Sequence, residues 1–201
     1  MEFKNSIDTI DIEEDEIMSR FDVSSLFTNV PINRALDIIN DCLKSDLDLN
    51  LHCPLDPPEV IKCLELCLRS TLFIFRGHLY RQKEGIAIGS PVSPIVANLF
   101  MHTLETSAIA RSVYLSKLWL RYADDIFIIN KRDGLEELFN NVNSISESSK
   151  LTEELESVDH KLAFLDCLFE RRHNNNKSKI NVYRKPTHSE RYLDFDSAHA
   201  Q

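Results

Sequence analysis

Glycine is scarce in this chain, with only four in 201 residues. Each therefore marks a place where the backbone needs unusual freedom. No apolar run reaches the length that a membrane-crossing helix requires. The start of the chain is acidic and polar (Asp8, Asp11, Glu13, Glu14, Asp15, Glu16), which argues against a secretory signal. Cysteine is odd in number: Cys42, Cys53, Cys63, Cys67 and Cys167. Their spacing fits neither a zinc motif nor a disulfide framework. Cys63 and Cys67 stand one helical turn apart, which predicts a buried apolar face. A reducing intracellular compartment, nuclear or cytoplasmic, fits best, with no membrane partner. There is no internal repeat, and the one biased stretch is Asn174-Asn175-Asn176.

A general excess of basic charge is also missing. The net charge is −9 and the isoelectric point about 5.3, which argues mildly against a nucleic-acid partner. The distribution qualifies that. Acidic residues crowd the start and the stretch around Glu153, Glu154, Glu156 and Asp159. The last third carries Arg171, Arg172, Lys177, Lys179, Arg184, Lys185 and Arg191. A local basic stripe can hold a phosphate backbone on an acidic protein. Around Arg171 to Lys179 the plainer reading is a solvated loop.

What the chain does have is two adjacent carboxylates between apolar runs: Leu118-Trp119-Leu120, then Tyr122-Ala123-Asp124-Asp125, then Ile126-Phe127-Ile128-Ile129. Such runs read as buried strands, and Asp favours the turn between them. The expected geometry is a hairpin with two aspartates at its tip. Upstream, 20–27 reads as a strand ending near Asp22. Helical spacing of Ala35, Leu36, Ile39 and Leu43 predicts a helix over 32–44. Another is predicted over 58–70, with Val60, Ile61, Leu64 and Leu68 on one face. A hairpin is expected over 71–82, turning at Gly77. The Gly/Pro-rich stretch 85–94 enters a long helix over 95–114, along which Asn98, Met101, His102 and Glu105 recur turn by turn. A helix opens at Asp133-Gly134. Strands are predicted over 162–169 and 180–184. This order predicts an α+β fold, an antiparallel sheet with helices packed on one face.

Three features now stand together: a strand ending in Asp22, a Gly/Ser/Pro turn entering a helix, and a hairpin presenting Asp124 and Asp125. Two-metal phosphoryl transfer needs such a set, carboxylates from separate strands meeting at two Mg²⁺ about 4 Å apart. One ion lowers the pKa of a primer hydroxyl and the other stabilises the leaving group, while the protein supplies placement and charge. Mn²⁺ is a possible substitute. Asp124 and Asp125 taken alone read most plainly as an ordinary acidic hairpin turn, and only the three features together make a candidate metal-dependent phosphoryl transferase.

The same segments resemble the palm of a right-hand polymerase, that of the reverse transcriptases. Phe21-Asp22-Val23-Ser24-Ser25-Leu26-Phe27 resembles motif A. Gly89-Ser90-Pro91-Val92-Ser93-Pro94 resembles motif B, and Tyr122-Ala123-Asp124-Asp125 motif C, in that order. The finer resemblance is to Penelope-like retroelements. It is carried by Asp-Val-Ser-Ser-Leu-Phe-Thr-Asn-Val-Pro, Gly-Ile-Ala-Ile-Gly-Ser-Pro-Val-Ser-Pro, Ala-Phe-Leu-Asp and Tyr-Arg-Lys-Pro-Thr-His-Ser-Glu-Arg-Tyr-Leu. It covers most of 21–199 and implies an RNA-directed DNA polymerase with an RNA template, a DNA primer and deoxynucleoside triphosphates as partners.

By that resemblance Asp22, Asp124 and Asp125 are the catalytic metal carboxylates, Asp124 outranking Asp125, and the Val23 carbonyl adds a ligand. Phe27 lies under the sugar and rejects a 2′-hydroxyl. Gly89 and Ser90 let the backbone approach the nascent base pair. Tyr183, Lys185, Pro186 and Thr187 form a primer and template grip. The implied layout is a leader over 1–20, a palm over 21–186 and a tail over 187–201. The chain also departs from the family. Ile88 stands where many relatives have Gln, and motif D has no clear match beyond Lys161. Most of the fingers, the thumb and an appended endonuclease are not in these 201 residues. An alternative reading follows: a catalytically inactive retroelement remnant, folded as a palm, that at most binds nucleic acid. An RNA-directed RNA polymerase fits less well, since Phe27 replaces that family's second motif A aspartate.

Overall fold

The computed structural model describes residues 10–145, 150–171 and 178–185. Residues 14–155 form one compact unit. A second takes in the described residues before Glu14 and after Leu155.

The first unit begins with β1 (Glu16–Val23), which starts inside the segment expected to be a leader. A single turn, α1 (Leu26–Asn29), leads into α2 (Ile32–Ser45), a one-turn α3 (Leu49–His52) and α4 (Pro57–Arg69). Pro57 and Pro58 fall in the first turn of α4, where the missing N–H costs nothing. The Glu59 carboxylate reaches back to accept from the Asp56 N–H at 3.2 Å. Then come a separate hairpin, β2 (Leu72–Phe75) and β3 (His78–Arg81), and the long α5 (Ser93–Arg111). The unit closes with β4 (Leu118–Tyr122), β5 (Asp125–Lys131), α6 (Arg132–Ile145) and β6 (Leu151–Leu155).

Four strands form an antiparallel sheet in the order β4-β5-β1-β6. Register decides which side chains face the helices. Phe21 is opposite Ile126, Ser19 opposite Ile128, and Val23 opposite Leu151. Phe21, Val23, Ile126, Ile128 and Leu151 share one core with Ala35, Leu36 and Ile39 of α2, Phe100, Met101 and Leu104 of α5, and Leu135, Leu138 and Val142 of α6. The helices thus pack on one face, as the pattern predicts. Phe21 sits at the centre of this core. It meets Trp119 edge-on at 6.3 Å and Phe139 at 5.2 Å. Met18, Phe127 and Ile129, on the opposite face, are also fully buried, so β5 is apolar on both sides and reads as an unbroken run.

The second unit is a three-stranded antiparallel sheet, β7 (Lys161–Phe164), β8 (Cys167–Arg171) and β9 (Ser178–Val182), in that order. Here expectation and structure differ. The strand predicted over 162–169 is two strands, because Leu165 adopts φ 53° and the chain reverses at Leu165-Asp166. Apolar residues on both sides hide that turn. The strand expected over 180–184 begins and ends two residues earlier. In the first unit, β6 was not foreseen, since an edge strand reading Leu-Thr-Glu-Glu-Leu looks like an acidic loop. Cys63 and Cys67 are exposed rather than buried, because α4 turns Ile61, Leu64 and Leu68 inward instead. Arg171 is not part of a solvated basic loop. It is buried, lies 3.4 Å from Glu156 and donates to the Glu13 carbonyl at 3.1 Å. No described helix is long and apolar enough to cross a membrane.

Candidate active site

The β1–β5 pairing ends on Asp22 and Asp125, which stand directly opposite one another. Directly opposed residues share a sheet face, so both aspartates lie on the face away from the helical core. Tyr122 is opposite Asp125 on the other side and joins them on that face. Beyond the pair, the Val23 N–H donates to the Asp124 carbonyl at 3.0 Å. The end of β1 is thereby fastened to the tip of the β4–β5 hairpin. The tip itself turns through Ala123, which adopts φ 54°, a left-handed conformation costly for a residue with a Cβ. Asp124 is exposed, while Asp22 and Asp125 are half-buried. The three backbone positions predicted as metal carboxylates are therefore brought together. Among the described residues, no three His, Cys, Asp or Glu side chains are grouped closely enough to hold a metal ion as they stand. Carboxylates that converge raise one another's energy unless a cation offsets the charge.

A cavity of about 410 Å³ opens beside this tip. Leu26 and Phe27 line it from α1, Pro94, Ile95, Ala97 and Asn98 from α5, and Arg121, Tyr122 and Ala123 from the hairpin. Phe27 is only partly buried, its ring packed against the core and bordering the cavity. The turn that carries it is closed by the glycine-rich stretch. The Ile86 N–H donates to the Phe27 carbonyl at 2.8 Å. Gly85, at φ 71°, lies so close to Thr28 that a Cβ there would collide with the Thr28 backbone. Gly89 also has positive φ, at 94°, but nothing lies within 4 Å of the position a Cβ would take. Ser90 follows it half-buried, its N–H donating to the Ala87 carbonyl at 3.3 Å. So Gly85, which opens the quoted stretch but is given no role by the resemblance, is where close approach demands glycine. Its signal was its rarity.

Arg121, the residue before the Tyr122-Ala123-Asp124-Asp125 segment, is not among the predicted site residues. Its Nε lies 2.8 Å from Glu105 Oε1, and both side chains are largely buried. Its Nη2 donates to Asn98 Oδ1 at 2.7 Å, and Trp119 Nε1 donates to Glu105 Oε1 at 3.0 Å. This network ties α5 to the strand leading into the aspartates. The one-turn spacing of Asn98, Met101 and Glu105 was its trace in the sequence.

The predicted grip residues Tyr183 and Lys185 follow β9 in the second unit. The Tyr183 N–H donates to the Asp166 carbonyl at 2.7 Å, and Lys185 is exposed. Pro186 and Thr187 lie outside the described residues. Lys161 opens β7.

Residues 3–159 match the reverse transcriptase (RNA-dependent DNA polymerase) family, and they include all three motif segments. The chain belongs to the reverse transcriptase family. No curated protein matches it in sequence. Among solved structures, it resembles apo telomerase from Candida tropicalis, with TM-score 0.64 and 16% identity over 90% of this chain. A form of that telomerase truncated from its C-terminal domain gives 0.62 and 16% over 83%. Telomerase from Candida albicans, in complex with a TWJ fragment of telomeric RNA, gives 0.67 and 10% over 90%. At such identities the likeness is one of fold, a reverse-transcriptase palm. The chain spans about a third of each telomerase chain, 33%, 35% and 32% respectively.

Proposed function

We propose that this chain is the palm of an RNA-directed DNA polymerase of the Penelope-like type. Its partners are an RNA template, a DNA primer and deoxynucleoside triphosphates. One observation carries the reading: Asp22 directly faces Asp125 while Val23 is bonded to Asp124, beside a cavity that Phe27 borders. The donor set is all hard oxygen, which suits Mg²⁺ or Mn²⁺. Asp22, Asp124 and Asp125, with the Val23 carbonyl, would hold two such ions. When bound, these supply the charge that favours an ionised primer hydroxyl and stabilises pyrophosphate. The chain's own part is placement. The sheet holds two aspartates in register, and the Val23–Asp124 bond fixes the third. Phe27 lies where a 2′-hydroxyl would clash, so ribonucleotides are rejected by exclusion.

The test is primer extension on an RNA template with Mg²⁺ or Mn²⁺. Arg121 is the one cation among the described residues lining the cavity, and it is committed to Glu105. Triphosphate charge therefore meets little compensation, and extension by these 201 residues alone should be weak. Within a complete polymerase, Asp124→Asn should abolish metal-dependent incorporation with little change in folding. In the same assay Phe27→Val should raise the ratio of ribonucleotide to deoxynucleotide incorporation. Activity that survives Asp124→Asn would refute the assignment. A complete polymerase without activity, whose palm still unfolds cooperatively, would support the inactive-remnant reading.

A further inference from the structure

The β2–β3 hairpin carries a surface that the candidate active site does not use. Leu72, Phe73, Ile74, Phe75, Leu79 and Tyr80 are all exposed. An isolated two-stranded ribbon with such residues on both faces has no internal reason to be so apolar. The register sorts the two faces. Phe73 is opposite Tyr80 and Phe75 opposite His78, so three aromatic rings and an imidazole share one side. Phe73 and Tyr80 lie nearly parallel, 18° apart, with ring centres at 5.5 Å, and Phe75 meets Tyr80 edge-on at 6.5 Å. The Arg76 guanidinium lies over the Phe75 ring at 5.2 Å. From Thr71 to Lys83 there are three cations, Arg76, Arg81 and Lys83, and no carboxylate, within a chain of net charge −9.

We propose that this aromatic face is a docking platform for single-stranded nucleic acid. Exposed planar rings offer bases a stacking surface whatever their sequence, and the Arg76 guanidinium over the Phe75 ring meets phosphate beside them. The charge decides between occupants. An apolar protein partner would use the rings but gain nothing from a cation over Phe75 in a stretch with three cations and no carboxylate. A polyanion with flat bases uses both. The proposal deepens the polymerase reading, since the strand bound would be template, and it rests on that reading only for this choice of strand.

Binding is measurable without catalysis. The full chain is titrated into short fluorescein-labelled single-stranded RNA, with duplex DNA as competitor, and anisotropy is followed. Phe73→Ala with Tyr80→Ala should weaken single-strand binding by roughly tenfold or more. Phe73→Leu with Tyr80→Leu, which keeps apolar bulk, should weaken it comparably. Arg76→Ser should flatten the salt dependence. Asp124→Asn should leave binding intact, so loss of polymerase activity and loss of this platform are told apart. Unchanged affinity in the ring variants, or no single-strand binding by the parent chain, overturns the proposal. So does a ring variant whose only effect is on self-association, seen by sedimentation, since that marks a protein-docking face.

Discussion

At the scale of single residues, the site depends on one close approach that side chains cannot tolerate. Gly85 touches the Thr28 backbone at positive φ, whereas Gly89 has positive φ in open space. Ala at position 89 meets only the conformational penalty, about 1–2 kcal/mol. Ala at position 85 adds a collision with the backbone that holds Phe27. Urea unfolding should therefore find Gly85→Ala clearly more destabilising than Gly89→Ala. Equal effects would mean that the contact yields freely. The motif pattern pointed to Gly89, because a motif records residue type and spacing. It does not record which glycine is pressed against another segment of chain.

At the scale of elements, the sheet and α5 are coupled through the Glu105 carboxylate, which serves both Trp119 and Arg121. Removing one partner of a largely buried ion pair leaves the other charge uncompensated, at a cost of about 3–5 kcal/mol. Glu105→Gln and Arg121→Gln should each destabilise strongly, and the double variant should lose less than the sum of the two. A double-mutant cycle by chemical denaturation measures this coupling, and strict additivity would show that the pair contributes nothing as a pair. The hairpin leading to Asp124 was legible in the sequence because an apolar run on either side of a turn specifies it locally. The partner of Arg121 was not, because Glu105 comes from a helix whose rotation only packing sets.

At the scale of the whole molecule, stability should depend on pH through Glu153. It lines a groove of about 570 Å³ together with Ile17, Leu135, Phe139 and Leu155, and with the charged Arg132 and Glu136. Desolvation there, and secondarily the Glu136 charge, raise its carboxyl pKa above the usual 4.5. The folded chain thus binds this proton more readily than the unfolded chain. The resulting stabilisation is complete below pH 4.5 and is lost as pH rises through the folded pKa. Glu153→Gln should be more stable than the parent at neutral pH, and the difference should shrink on acidification. Thermal unfolding across that range is the check, and a difference constant with pH would refute it.

Taken by itself, the sequence determined the α+β class, the main helices, both first-unit hairpins and the family. These are carried by local periodicity and by short motifs whose residues lie close together in the chain. Tertiary structure decided the rest. It placed Asp22 opposite Asp125, across about a hundred residues, through a register that only the completed sheet defines. It made Leu151–Leu155 an edge strand, although five residues with two glutamates have no strand signature of their own. It buried Arg171 against Glu156 and left Cys63 and Cys67 in solvent. Burial and pairing belong to surfaces that meet, and a linear pattern shows one surface at a time.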